Sequence, residues 1–272
     1  VNDAPSITVP SEQTVDEDSD ITITGFVIAD IDVGEGDGTV RAELYVTNGT
    51  LALPEGAAPA ATLTIEGSLA DVQASLNSVI YHADENFNGS DELHITVYDN
   101  GNGGAGGELS SAEQTITITV SPVNDAPSIT VPSGQTVDED SDITITGFVI
   151  AAIDVDEGDG TVRAVVAVDN GTLALPEGAT PAATLTIEGS LAEVQASLDT
   201  LIYRGNENFN GSDELHITIY DKGNSGSGGE LNSAEETIAI TVNAVNDAPS
   251  ITVPSGQTVD EDSDLTITGF VI

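Results

Sequence analysis

The chain repeats itself. Val1-Asn2-Asp3-Ala4-Pro5 returns at Val123 to Pro127 and again at Val245 to Pro249, a period of 122 residues. Residues 1–122 and 123–244 differ at 24 positions with no insertion or deletion, and a third copy runs from 245 to Ile272, which aligns with Ile150 and Ile28. A period of this size is that of a domain and not of a stacked solenoid unit, so each full copy is expected to enclose its own core. The sequence divides into 1–122, 123–244 and the truncated start of a third unit, 245–272. Beginning at Val1 without a basic-then-apolar leader, it reads as an internal segment of a longer chain.

Within one copy the dominant period is two. Ile21, Ile23 and Val27 alternate with Thr22, Thr24 and Phe26; Leu93, Ile95 and Val97 with His94, Thr96 and Tyr98; Ile116, Ile118 and Val120 with Thr115, Thr117 and Thr119. Such alternation predicts half-buried antiparallel strands. Further strands are expected at 6–9, 39–46, 50–53 and 62–66. About seven short strands separated by Gly, Asn, Asp and Pro turns specify a β-sandwich in each copy. One segment departs from this pattern. Ser68-Leu-Ala-Asp71 has the form of a capping box with Asp in the Glu position, and Leu69, Val72, Leu76 and Ile80 fall at helical spacing. This predicts a short helix over 69–78, repeated at 191–200, lying with one apolar face on the sandwich edge.

Charge limits the partners. The chain carries 47 acidic and 4 basic side chains, a net charge of −43, distributed as −20, −18 and −5 over the three copies. Phosphate backbones and anionic membrane surfaces are engaged through Lys and Arg clusters, so nucleic acid and membrane are excluded as partners. No apolar run reaches the roughly 18 residues of a spanning helix. So much charge usually signals disorder, but 39% of the residues are apolar and they alternate, which predicts a folded chain with a carboxylate surface. The absence of Cys removes disulfides and thiolate metal sites and leaves the redox compartment open.

The ordered set Thr14-Val-Asp-Glu-Asp18, Asp30-Ile-Asp32, Asn48-Gly-Thr-Leu51, Asn86-Phe-Asn-Gly89, Leu93-His-Ile-Thr-Val-Tyr-Asp99 and Val123-Asn-Asp-Ala-Pro127 resembles the cadherin-like tandem repeats of giant bacterial surface adhesins and RTX-type exported proteins. The resemblance covers essentially every position, twice. It implies an all-β fold of tandem Ig/cadherin-like antiparallel β-sandwiches, about seven strands and one short helix each, stiffened by Ca2+ at every junction. Carried over position by position, it implies that the first junction draws on Glu17, Asp84 and Glu85 of copy 1, Asn124 and Asp125 of the linker, and the Asp-x-Asp element and Asp221 of copy 2. Glu139, Glu207, Asn246 and Asp247 are the matching residues of the next junction, and Asp30, Asp32 and Asp99 face outward from copy 1. At the Asp-x-Asp element copy 2 has Ala152 where copy 1 has Asp30, and Asp156 where copy 1 has Gly34. Residues i and i+2 of a strand face the same way, so Asp154 and Asp156 are expected to substitute as a pair shifted about 6–7 Å along it, the alternative being that one calcium at this junction is weakened. Because the third copy stops at Ile272, only the first junction is expected to be complete.

Two physical features support the same reading. Ca2+ takes six to eight oxygen ligands, and a surface this acidic destabilises itself unless cations neutralise it. Only eight residues, two of them Pro, separate Val120 from Ile129, too few for independent motion of neighbouring copies. The expected role is a spacer in a secreted or cell-surface adhesin of biofilm type. Its partners would be neighbouring repeats, with a glycan or cell-surface target met through other domains, and the segment itself is expected to be monomeric. Two alternatives are direct adhesion by these copies to glycan, host surface or one another, and a halophilic acidic surface protein without a specific metal.

Other motifs carry less. Asp84-x-Asn86-x-Asn88-Gly89 matches the opening of an EF-hand loop, but Ile95 stands where the closing Glu belongs and copy 2 begins with Asn206, so a tight turn is expected. The stretch 101–107 lacks the Lys of a phosphate cradle and is expected to be a hairpin loop. His82 becomes Arg204, and His94 and His216 alternate outward on their strands. No nucleophile, base and orienting group fall together, so catalysis is not expected.

Overall fold

The computed structural model describes all residues except 37, 57, 102–105, 157–159, 177–179 and 224–225, and all their side chains except those of 155–156. Copy 1 contains β1 (Ser6–Thr8), β2 (Gln13–Asp16), β3 (Asp20–Ile23), β4 (Val27–Ala29), β5 (Thr39–Tyr45), β6 (Gly49–Ala52), β7 (Thr62–Ser68), α1 (Leu69–Leu76), β8 (Val79–Ala83), β9 (Gly89–Tyr98) and β10 (Gln114–Ser121). Copy 2 repeats the order with β11 (Ser128–Thr130), β12 (Gln135–Asp138), β13 (Asp142–Ile145), β14 (Val149–Ala151), a 3-10 turn at Ile153–Asp156, β15 (Thr161–Val168), β16 (Gly171–Ala174), β17 (Thr184–Ser190), α2 (Leu191–Leu198), β18 (Leu201–Gly205), β19 (Gly211–Tyr220) and β20 (Glu236–Asn243). The fold is all-β with two short helices among the described residues, neither long and apolar enough to cross a membrane.

In copy 1 a five-stranded sheet, β2-β10-β9-β5-β7, and a three-stranded sheet, β3-β8-β6, contribute to one core, while β1 and β4 form a separate antiparallel pair. Copy 2 has the same three sheets around its own core. The period-two pattern explains the layers: Leu93, Ile95 and Val97 of β9 and Ile116, Ile118 and Val120 of β10 are buried, and the Thr and His residues between them look outward. Each fully buried Leu, Ile or Val of this kind contributes roughly 1.5–3 kcal/mol by leaving water. One pairing differs from the antiparallel expectation. β2 runs parallel to β10, with Val15 opposite Val120 and Asp16 opposite Ser121.

The alternation read through 21–27 breaks at Gly25. With φ at +98°, this glycine turns the chain between β3 and β4, so Phe26 enters the core and Val27 is 57% exposed, the reverse of the expected facing. The helix bridges this break. Gln73 of α1 accepts the Ile28 amide at 2.8 Å and donates to the Phe26 carbonyl at 2.7 Å, while Asn77 accepts the Gly25 amide at 2.7 Å. Gln73 and the C-cap residue Asn77 thus satisfy the backbone that a neighbouring strand would otherwise pair. α1 is capped by Ser68, whose hydroxyl accepts the Asp71 amide, and α2 has the full capping box of Ser190 and Glu193. Both helices end two residues earlier than expected, at Leu76 and Leu198, and Ile80 belongs to β8.

β9 carries a second constraint. Its buried face begins with Asp91, whose carboxylate accepts the amides of Thr47, Asn48 and Glu92 and the Tyr81 hydroxyl at 2.8–3.2 Å. Burial, then the charge and hydrogen bond of Asp91, keep that hydroxyl protonated far above its ordinary range. Asp213 and Tyr203 repeat the arrangement. Replacing Asp91 with Ala strands four donors and should cost about 3 kcal/mol or more, against about 1 kcal/mol for Tyr81→Phe, as read from urea unfolding.

Candidate functional site at the junction of the two copies

The linker between β10 and β11 is held at three consecutive residues by buried carboxylates of both copies. The parallel register of β2 and β10 places Glu17 beside the end of β10, where its amide donates to the Ser121 carbonyl at 2.9 Å. Its carboxylate then accepts the Val123 amide at 2.6 Å. The Asn124 side chain donates to Asp221 at 2.7 Å and to the Gly229 carbonyl at 2.9 Å, and its own amide donates to the Ser227 carbonyl. Asp221 also accepts the amides of Gly223 and Leu231 at 2.8 Å each, which fixes the loop after β19 against the linker. Finally the Asp125 amide donates to Asp154 at 2.5 Å. Glu17, Asn124, Asp154 and Asp221 are between 1% and 5% exposed, so these are interior contacts.

The side chain of Asp125 stands among like charges. Burial first, then the carboxylates of Asp154, Asp18 and Glu85, push its pKa above the ordinary value. Asp18 and Glu85 come from copy 1 and Asp154 from copy 2. No basic residue is among the groups acting there, because all four in the chain are engaged elsewhere. Arg41 lies over Tyr98 and pairs with Glu43 and Glu108; Arg163 lies over Tyr220 and pairs with Glu230; Arg204 pairs with Asp142 and Lys222 with Glu188.

The outward end of copy 1 repeats the pattern. Asn2 donates to Asp99 at 2.6 Å, and the Asp3 amide donates to Asp32 at 2.7 Å. Burial alone would raise the Asp99 pKa, but hydrogen bonds from Leu109, Gly101 and Asn2 outweigh it and hold the carboxyl below its usual range. At the end of copy 2, Glu139 accepts the Val245 amide at 2.6 Å and the Asn210 side chain at 3.2 Å.

The remaining expected residues are placed differently. Glu207, Asn246 and Asp247 are exposed, and Asp84 lies in the turn after β8, where its carbonyl accepts the Phe87 amide and its charge acts on Tyr81. That turn has Asn86 at φ +56°, a tight entry to β9. Neither Asp-x-Asp pair stands on a strand. Asp30 and Asp32 follow β4 in a turn, with the Asp32 amide donating to Asp30 at 2.9 Å, whereas positions 154 and 156 lie within the 3-10 turn. The strand facing expected for Asp154 and Asp156 therefore does not apply, and the Asp156 side chain lies outside those described. Most of the 101–107 loop, residues 102–105, is also outside the described residues. Asp18 was not singled out from the sequence, although the run Asp16-Glu17-Asp18 immediately before the Asp20 strand marks it.

The donors at the junction are all oxygen: carboxylates, an amide and the linker backbone, the chemistry that suits a hard divalent cation. At the outer end of copy 1, Asp30 Oδ2 is buried without a hydrogen-bond partner, an oxygen of the kind a cation would satisfy. Among the described residues no group of three or more Asp, Glu or His side chains is already closed into a metal-holding arrangement.

No family model matches the chain, and no curated protein matches it significantly. Among solved structures it is similar to the EC21-23 segment of human CDH23, with 17% identity over 98% of this chain and 79% of that one and a TM-score of 0.44. It is similar to human Protocadherin-24 EC1-2, with 12% identity over 91% and 100% of the two chains and a TM-score of 0.42. It is also similar to domains 1-6 of the surface layer protein SbsC, with 12% identity over 93% and 29% and a TM-score of 0.28.

The raised pKa of Asp125 fixes a sign. Its stabilising contribution is complete below the ordinary value of 3.8 and is lost as pH rises through the raised folded value, so at pH 7 the ionised carboxylate works against the fold. Asp125→Asn should therefore melt at a higher temperature than the native chain in chelator at pH 7, and the difference should close below about pH 4.

Proposed function

We propose that this chain is a spacer segment of a large bacterial extracellular or cell-surface adhesin. Its repeating units are 1–122 and 123–244, calcium stiffens their junction, and catalysis is no part of its role. The observation that carries the reading is the surplus of anions at the linker: Asp125 is crowded by Asp154, Asp18 and Glu85 while every basic side chain is committed elsewhere. Charge that the protein itself leaves unbalanced calls for a cation from solution.

Glu17, Glu85, Asn124, Asp125, Asp154 and Asp221 are the residues that would hold calcium, with Asp18 joining from copy 1. When bound, the ion supplies positive charge and a preference for six to eight oxygens. The residues supply position. Glu17 fixes the linker to copy 1, and Asp154 and Asp221 fix the next two residues to copy 2, so carboxylates of both copies share one short segment. Near-identity of adjacent copies favours repetition as the purpose, since a recognition site would need one copy. The faces differ where recognition would need them alike: Tyr45, 41% exposed and stacked on His94 at 4.3 Å, is Ala167 in copy 2.

The test is thermal unfolding of the full chain, followed by circular dichroism in chelator, in millimolar CaCl2, and in NaCl at matched and at molar ionic strength. A ligand at a hundred times its Kd stabilises by about 2.7 kcal/mol. Calcium should raise the melting temperature by several degrees, with no comparable rise at matched NaCl. A rise in molar NaCl alone would overturn the calcium reading and favour a halophilic surface.

A further inference from the structure

The glycine-rich stretch after β19 does more than turn the chain. Its residues 226–229 run along the linker: Ser227 is bridged in parallel to Val123, the Ser227 carbonyl accepts the Asn124 amide at 3.2 Å, and the Gly229 carbonyl accepts the Asn124 side chain at 2.9 Å. Gly226 has φ at +44°, and a Cβ there would stand inside the Pro122 carbonyl, so glycine is what lets the two backbones come this close. With Asp221 accepting the other side-chain bond of Asn124 and Asp154 accepting the Asp125 amide, the donors of both residues are met within copy 2. Arg163 holds the stem of the stretch together, lying over Tyr220 at 4.1 Å on one side and pairing with Glu230 at 2.7 Å on the other. Copy 1 builds the same seat. Asn2 donates to Asp99 and to the Gly107 carbonyl, and Arg41 joins Tyr98 to Glu108. In sequence, Gly104, Gly106 and Gly107 match Gly226, Gly228 and Gly229, while Ala105 gives way to Ser227 between them. Two of the four basic residues in the chain are spent on this one task.

We infer that the glycine-rich stretch is a socket for the linker leading into its own copy, made of hydrogen bonds that need no metal ion. Residues 122–125 then move as part of copy 2, and bending between the copies falls at Ser121–Pro122. Across that point the contact is the Val123 amide on Glu17, whose own amide holds the end of β10. The linker is therefore asymmetric: on one side it is bound by several hydrogen bonds of copy 2, and on the other by one described hydrogen bond to copy 1. The inference does not rest on the calcium reading, because the groups that hold Asn124 and Asp125 are carbonyls and carboxylates of the protein itself.

The test is amide hydrogen exchange, followed by NMR on the full chain in chelator. It is paired with electron-resonance distances between spin labels at Thr64→Cys and Thr186→Cys, exposed positions in different copies of a chain that has no Cys of its own. In the native chain the Asn124 and Asp125 amides should be protected without any ion. Gly226→Ala and Asn124→Ala should each speed their exchange about tenfold or more while the Ile217 and Ile240 amides in the core of copy 2 keep their protection. Glu17→Ala should do the opposite, broadening the distances between the labels and exposing the Val123 amide while Asn124 and Asp125 exchange as before. This variant leaves copy 2 untouched, so it decides the matter if the other two fail to fold. Unprotected Asn124 and Asp125 amides in the native chain in chelator, by local opening or by loss of the whole copy, would overturn the inference. So would a Glu17→Ala chain in which Asn124 is freed along with Val123. Because every sample is in chelator, a chain that proves not to bind calcium would leave this result standing.

Discussion

The carboxylate that accepts a backbone amide is the interaction on which this structure turns. It recurs at several places where one part of the chain is registered against another: Glu17 on Val123, Asp154 on Asp125, Asp91 on Thr47 and Asn48, Asp99 on Gly101 and Leu109. A charged acceptor makes a stronger hydrogen bond than a carbonyl, and a buried one cannot be exchanged for water without cost. An unusually acidic chain uses part of its acidity as internal fastening. The rest covers the surface, and where fastening and surface charge meet, at the linker, the negative charges have no counterpart.

β9 shows how closely these roles are arranged. The same alternation that buries Leu93, Ile95 and Val97 buries Asp91 before them and places Asp99 after them, so one strand carries the core and anchors loops at both ends. At one end the anchored groups are the turn after β5 and a buried tyrosine; at the other they are Asn2 and the loop leading to β10. Core packing and linker position are therefore coupled through a single strand. β19 does the same in copy 2, with Asp213 and Asp221.

Much of this was legible in the sequence, because period two is a local property. The long strands, the short helices and the repeat itself follow from spacing alone. What escaped was decided by contacts distant in sequence. Nothing local shows that Gly25 reverses the facing of Phe26 and Val27, since the residues that stabilise the reversal, Gln73 and Asn77, lie some fifty positions away. Nor does alternation reveal that β2 pairs parallel with β10. At the junction, Glu17, Asn124, Asp125, Asp154 and Asp221 were identifiable as a set, and the structure brings them to one linker. Asp84 lies beside Glu85 in the turn after β8, and Asp18 entered only through its position.

The parallel pairing of β2 with β10 has a mechanical consequence. These strands lie near the entrance and the exit of a copy, side by side and pointing the same way over four paired positions. Tension applied at the two ends of the copy draws them in opposite directions along their length, which loads their hydrogen bonds in shear. The bonds must then yield together and not one after another as in a hairpin opened from its free end. Glu17 and Val123 sit just beyond this pair, so the contact that fixes the linker also stands where the pulling force would enter the fold.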